Sequence, residues 1–169
     1  MANFVRFQMF SGRPLTINGD NPLIKDQLTV SSVDSITVEG DPWVFFDSPD
    51  YGGDFVIYRA GERKQFPTGL KNIKSVRMIK GGIDRSKVIL YPHPFFNGIA
   101  EPFQNKIDQL PSTYFSLKVA EGAVIFFDDE NCIGEKRILL NGDEVQNFTA
   151  VKLTSIGKSV KTAWDMGPQ

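Results

Sequence analysis

The stretch WVFFDSPDYGGDFVIYRAGE, residues 43–62, decides the fold because the rest of the chain repeats its pattern. Strand-forming residues lead to an aromatic residue, the chain turns back within a few residues, and a glycine marks the turn. Glycine suits such a turn because it adopts a positive φ without the strain that a side chain brings. The stretch therefore predicts two antiparallel strands joined by a tightly folded hairpin.

Three fainter copies of this hairpin surround the first. Their shared spacing is an apolar residue, four residues, a second apolar or aromatic residue, one residue and a glycine. A spacing that recurs in so short a chain indicates a repeat architecture. In chain order the copies are Val5, Phe10 and Gly12; Phe46, Tyr51 and Gly53; Tyr91, Phe96 and Gly98; and Phe127, Cys132 and Gly134.

Each copy closes on a serine that is followed by alternating apolar positions. We expect the serine hydroxyl to hydrogen-bond to backbone groups of the folded hairpin. The closing serines are Ser35, Ser75, Ser116 and Ser159, with Ser155 as an alternative register for the last.

This repeated pattern resembles the Greek-key motif of the βγ-crystallins, and the likeness covers nearly the whole chain. It is strongest in the second copy, where Trp43 precedes the strand, and weaker where Val5 and Cys132 occupy aromatic positions. The resemblance implies an all-β protein of two Greek-key sandwich domains with two motifs each.

Length and composition agree with two small all-β domains. The chain has 169 residues, including 14 Phe, 15 Gly and 10 Pro, and no long helix-period stretch. Gly53 to Gly61 and Gly134 to Gly142 are each eight residues apart, which pairs the second copy with the fourth. The glycine-rich run near the midpoint is the predicted linker. We therefore predict one domain at 1–80, a linker at 81–86 and a second domain at 87–169.

Alternation along the strands predicts the core, although the face of the FF and VIFF runs stays open. The candidates are Phe4, Phe7, Val44, Phe46, Phe55, Ile57, Val76 and Met78 in the first half, and Ile89, Tyr91, Phe103, Leu117, Val124, Phe126, Ile138 and Leu140 in the second.

Charge and apolar patterning limit the partners. Lys+Arg 19 against Asp+Glu 20 leaves a net charge of −1, which disfavours binding to nucleic acid. No stretch approaches the roughly 20 apolar residues of a membrane span. A single cysteine and a start without a secretory pattern predict a cytoplasmic protein, with secretion as the alternative for a module of a larger pore-forming protein. Apolar patches would allow a homo-oligomer or a partner protein.

The residues give no sign of an enzyme. The chain has one histidine, His93, and one cysteine, Cys132, and it lacks the GxSxG, HExxH and CxxC patterns. The acidic run at 128–130 falls on a hairpin bend, where we expect it to be solvated.

Calcium is the informative test of the resemblance. Calcium-binding members of the family carry two Asn/Asp residues, two variable residues and Ser/Thr-Ser before the last strand, since calcium needs oxygen ligands. Residues 70–75 read LKNIKS and put Lys71 and Lys74 at those positions, while residues 30–35 read VSSVDS and keep one acid, Asp34. We therefore predict no cofactor, with weak calcium binding at Asp34 as the open alternative.

Three functions follow from the resemblance. The first is a non-enzymatic structural or protective βγ-crystallin. A non-lens type is indicated because lens members tend to be rich in Tyr and Trp, whereas this chain has 14 Phe but 4 Tyr and 2 Trp. The second is a targeting or assembly module that precedes an aerolysin-like pore-forming region. The third is a weak calcium binder.

Overall fold

The computed structural model describes residues 2–104, 106–107, 109–110, 113–147 and 158–162. Within those ranges the strands pair antiparallel, and the helical segments are three short 3-10 turns. No helix in the described part of the chain has the length and apolar composition needed to cross a bilayer. The predicted all-β class is confirmed.

The chain divides into two compact domains between Lys80 and Gly81, at the start of the predicted linker. The first domain holds two sheets, with strand orders β2-β1-β3-β6 and β5-β4-β7. Its strands are β1 (Phe4–Met9), β2 (Leu15–Ile17), β3 (Val33–Glu39), β4 (Trp43–Ser48), β5 (Gly52–Tyr58), β6 (Gly61–Arg63) and β7 (Ser75–Met78).

The second domain repeats this plan. Its strands are β8 (Lys87–Tyr91), β9 (Glu101–Phe103), β10 (Lys106–Ile107), β11 (Ser116–Glu121), β12 (Ala123–Asp129), β13 (Ile133–Leu140), β14 (Glu144–Val145) and β15 (Ser159–Thr162). They form two sheets with the orders β14-β11-β8-β9 and β10-β15-β12-β13.

The two motifs of each domain exchange a strand. Strand β6 follows β5 in the chain but pairs with β3, and β14 likewise leaves β13 to pair with β11. In the opposite direction, Asn21 and Val76 bond to each other through both backbone groups at 3.0 Å, and β10 pairs with β15. Non-consecutive pairing of this kind is the Greek-key connection that the resemblance implied.

The same kind of turn connects the two motifs in both domains, between β3 and β4 and between β11 and β12. Gly40 and Gly122 adopt positive φ between two strands. The N–H of Asp41 donates to Asn3 Oδ1 at 2.8 Å, and the N–H of Ala123 donates to Ser86 Oγ at 3.2 Å. Ser86, the last residue of the predicted linker, is therefore buried as part of the second domain.

Aromatic rings dominate the core of the first domain. The rings of Phe7 and Phe45 lie 5.7 Å apart, and Phe45 meets Tyr58 edge-on at 5.2 Å. Trp43 is buried in the same cluster. Each such side chain contributes on the order of 1.5–3 kcal/mol by leaving water.

The predicted core is correct for some strands and shifted by one residue in others. Leu117, Val124 and Phe126 lie in the second core as expected. In β8 the core residues are Val88 and Leu90, whereas the predicted Ile89 and Tyr91 are half-buried.

Residues 43–46 of β4 and 55–58 of β5 are buried on both faces of the strand, so alternation could not identify which face lies in the core. The predicted Val44, Phe46, Phe55 and Ile57 are buried. The residues of these strands that belong to the core cluster are instead Trp43, Phe45, Val56 and Tyr58.

Candidate functional site

The folded hairpin corner is the feature that three of the four motifs build in the same way. At each corner the closing serine bonds twice to the backbone, because its hydroxyl accepts one N–H and donates to one carbonyl. The pairs are Ser75 with Tyr51 N (3.0 Å) and Ser48 O (2.7 Å), Ser116 with Phe96 N (3.0 Å) and His93 O (2.6 Å), and Ser159 with Cys132 N (2.9 Å) and Asp129 O (2.6 Å).

Each corner holds two consecutive residues in the left-handed region. They are Asp50 and Tyr51, Phe95 and Phe96, and Asn131 and Cys132, with φ between 58° and 62°. The motif glycine two positions after each pair also has a positive φ, as expected: 76° at Gly53, 92° at Gly98 and 91° at Gly134. Three left-handed residues within four positions cost backbone energy, and the serine bonds help to hold them there.

A ring covers two of these corners. The rings of Phe46 and Tyr51 lie 5.7 Å apart, and those of Tyr91 and Phe96 lie 5.5 Å apart. In the fourth motif Phe127 is the buried ring at the strand end, and the half-buried Cys132 occupies the position that Tyr51 and Phe96 hold in the other two corners. A thiol is smaller than a ring, so this corner has less apolar cover.

A cation from the closing strand lies over each ring, and the sequence analysis missed it. Arg77 Cζ is 5.3 Å from the Tyr51 ring centre, and Lys118 Nζ is 4.3 Å from that of Phe96. Arg77 Nε also donates to Asp20 Oδ2 at 3.5 Å. The other oxygen of this carboxylate, Oδ1, accepts the N–H of Met78 at 2.8 Å. The signal in the sequence that could have revealed this contact is a basic residue two positions after the closing serine.

The first hairpin has no such corner because it is shorter. Gln8 lies opposite Ser35 as Tyr91 lies opposite Ser116, so Gln8 and not Val5 occupies the strand-end position. Gly98 lies seven residues after Tyr91, whereas Gly12 lies four residues after Gln8.

The predicted alignment of Val5 and Phe10 with the aromatic positions is therefore wrong. Val5 is a core residue, and Phe10 is 64% exposed. The N–H of Phe10 donates to Ser32 O at 3.0 Å and not to the closing serine. Gly12 still has a positive φ, of 94°.

Sequence comparison places this architecture in a family. The family model for Beta/Gamma crystallin matches residues 6–79, which covers most of the first domain. The first domain belongs to the βγ-crystallin superfamily, and the chain as a whole is similar to members of that superfamily. Gamma-crystallin N-A of Danio rerio is 28% identical over 150 residues, which are 83% of this chain and 82% of that protein.

Two further relatives differ in length and similarity. Human Beta/gamma crystallin domain-containing protein 1 is 30% identical over 118 residues, which are 64% of this chain but 6% of that protein. The solved structure of Geodin, a βγ-crystallin from Geodia cydonium, is matched over 96% of this chain and 100% of its own, with 14% identity and a TM-score of 0.43.

The second motif carries two lysines at the predicted calcium-ligand positions. Lys71 is exposed and Lys74 is half-buried, at positions that the calcium motif in the sequence analysis assigns to oxygen ligands. The Ser75 hydroxyl already bonds to Tyr51 N and Ser48 O. Two ammonium groups repel a divalent cation, so the donor set present here does not fit the ion.

The first motif also uses its hydroxyls internally. Ser32 Oγ accepts the N–H of Thr29 at 2.8 Å and donates to Gln27 O at 2.6 Å, while Asp34 is exposed. Among the described residues, no three His, Cys, Asp or Glu side chains are placed to share a metal. The corresponding stretches of the third and fourth motifs, and the rival Ser155, include residues outside the described ranges.

Of the residues considered for catalysis, His93 lies in a different corner from Cys132 and the acidic run at 128–130. His93 is exposed at the start of the third corner, and Cys132 ends the fourth. Asp128 Oδ1 is paired with Arg137 Nη2 at 2.6 Å, while Asp129 and Glu130 are exposed on the bend, as expected. Asp128 is therefore paired with Arg137, and the side chains of Asp129 and Glu130 face solvent.

A cavity of about 500 Å³ opens beside the third corner. Phe95 and residues 142–147 line it. The N–H of Phe95 donates to Gln146 O at 2.7 Å, which ties the corner to the segment that crosses over from the fourth motif. The sequence analysis did not identify this cavity because its walls come from two motifs.

Proposed function

We propose that this βγ-crystallin is a non-enzymatic structural or protective protein whose domains are stabilised by packing and hydrogen bonds, without calcium. The observation that carries the proposal is the use of the closing serines. The hydroxyls of Ser75, Ser116 and Ser159 each satisfy two backbone groups of their own corner. Corners held in this way need no metal to keep their left-handed residues in place.

The charges of the second motif support the same proposal. Lys71 and Lys74 bring positive charge to the loop beside Ser75. A protein that binds calcium tightly in its native state alone gains several kcal/mol from the ion. Here that stabilisation must come from the buried rings and strands instead.

Thermal unfolding in millimolar calcium and in EDTA tests this proposal. We expect the two melting temperatures to differ by less than about 2 °C, because an ion that does not bind the native state does not stabilise it. A rise of roughly 10 °C in calcium would contradict the proposal. The double variant Lys71→Asp/Lys74→Ser supplies oxygen ligands and is the comparison, since it should respond to calcium more than the parent does.

Self-association and location belong to the same proposal. Several large apolar side chains are exposed, among them Phe10, Val30 and Ile133. Such residues support a homo-oligomer, and a cytoplasmic location is part of what we propose. Gel filtration at several protein concentrations tests self-association. Elution at the monomer mass at every concentration would contradict it.

A second candidate is a module of a longer protein. It is favoured by the human relative, in which the matched region is 6% of the whole. The pore-forming form of this hypothesis stays a prediction. An immunoblot of the native protein tests it, since a band far above 18.9 kDa is expected for a module and a band at that mass contradicts it.

A further inference from the structure

The corner of the third motif differs from the corners of the second and fourth motifs at one position. The first left-handed residue is Asp50 in the second motif and Asn131 in the fourth, but Phe95 in the third, with a φ of 59°. Asp and Asn tolerate this conformation because their short polar side chains bond locally, whereas a bulky aromatic residue does not. Phe95 therefore adds strain that the other two corners avoid.

Packing does not explain this phenylalanine. Phe95 is 61% exposed, so most of its surface faces water. A strained and exposed aromatic residue gains little stability for its own domain, and strain of this kind is a reason to look for a function. The ring borders the 500 Å³ cavity described above.

The opposite wall of the cavity is acidic. Asp143 and Glu144 both line it, and none of the described lining residues is Lys, Arg or His. Asp143 Oδ2 accepts the N–H of Leu140 at 2.9 Å, which orients that carboxylate. Glu144 Oε2 lies 3.4 Å from Lys118 Nζ, and both side chains are partly exposed.

Phe96, the residue next to Phe95, already has a cation over its ring. Lys118 Nζ lies over the ring of Phe96 and reaches Glu144 from the same place. A cation over an aromatic face is attracted by the negative charge density of the ring, and a carboxylate beside it adds to that attraction. Phe95 offers a second ring next to the same acidic segment.

We propose that the Phe95 cavity binds a basic side chain, a lysine or an arginine, from a peptide segment of a partner protein. The cation lies over the Phe95 ring and pairs with the carboxylates of Asp143 and Glu144, while its apolar stem fills the cavity. The acidic wall disfavours an acidic peptide or an anionic membrane surface. This inference is independent of the proposed function, which concerns stability without calcium.

The test is a two-dimensional NMR titration of the full chain with N-acetyl-tetra-arginine amide. We expect shifts at Phe95 and at residues 142–147 that shrink as salt is raised, because the pairing is electrostatic. Phe95→Asn should weaken binding by roughly two- to five-fold or more, and Phe95→Tyr should restore it. Asn131 occupies the equivalent left-handed position, so Phe95→Asn should fold.

Two controls make the outcome decisive. Phe10→Asn removes another exposed ring, outside the cavity, and should leave binding unchanged. Tetra-glutamate should not bind. The proposal is overturned if Phe95→Asn binds as the parent does or if the shifts map elsewhere. None of these results would alter the melting temperatures that test the proposed function.

Discussion

Gly122 packs against the backbone of Arg85 so closely that a Cβ at this position would overlap the Arg85 carbonyl oxygen and lie 2.9 Å from Ser86 Cα. Gly122 also has a φ of 65°. We expect Gly122→Ala to destabilise the second domain by about 3 kcal/mol or more, since both the conformation and the contact oppose a side chain.

Gly142→Ala is the matched control for this change. Gly142 has a φ of 89°, but a Cβ there would meet nothing within 4 Å. It should therefore lose about 1 kcal/mol from backbone strain alone. Urea unfolding measures both variants, and equal losses would show that the contact with Arg85 contributes nothing.

Ser75→Ala removes both hydrogen bonds of the second corner. The N–H of Tyr51 and the carbonyl of Ser48 then lose their partner, and leaving such buried groups unsatisfied costs about 1–3 kcal/mol. Ser35→Ala is the comparison, because the first hairpin lacks the corner and Phe10 N bonds to Ser32 O. We expect it to cost less than half as much in denaturant unfolding. A loss at Ser35 as large as that at Ser75 would mean that the first hairpin depends on its serine in the same way.

Much of the fold was predictable because spacing and turn chemistry repeat. The second motif carries every feature of the pattern, and its Trp43 lies in the core of the first domain. The first motif misled because Phe10 and Gly12 satisfy the same spacing within a hairpin that is three residues shorter between its strand end and its glycine. Pairing across to Ser35, which no local spacing reveals, fixes the correct register.

The rest depended on features that a local pattern does not encode. The run from Trp43 to Phe46 is buried throughout, so no polar residue marks the outer face. The cavity beside Phe95 needs a strand exchange to bring residues 142–147 to the third corner. The basic residues Arg77 and Lys118 were visible in the sequence, but their role depends on a ring from the 3-10 turn of a corner.

Tyr114 gives the second domain a dependence on alkaline pH. Its hydroxyl donates to Glu101 Oε2, and this hydrogen bond to a carboxylate raises the pKa of Tyr114 from 10.0 to about 12. A raised pKa means that the folded state favours the neutral phenol. Its contribution to stability is therefore complete below pH 10 and is lost as the pH rises towards 12.

Tyr114→Phe isolates this contribution from that of other groups that titrate in the same range. The parent should be more stable than Tyr114→Phe at pH 8, and the difference in free energy of unfolding should shrink between pH 10 and 12. A difference that stays constant over that interval would show that Tyr114 is not coupled to Glu101.

Hydrogen exchange at the corners tests most directly whether the closing serines, and not a metal, hold the fold. The amides of Tyr51, Phe96 and Cys132 bond to serine hydroxyls at 2.9–3.0 Å. We expect them to exchange slowly in EDTA, with protection that millimolar calcium leaves unchanged. Rapid exchange in EDTA that becomes slow only when calcium is added would contradict the account.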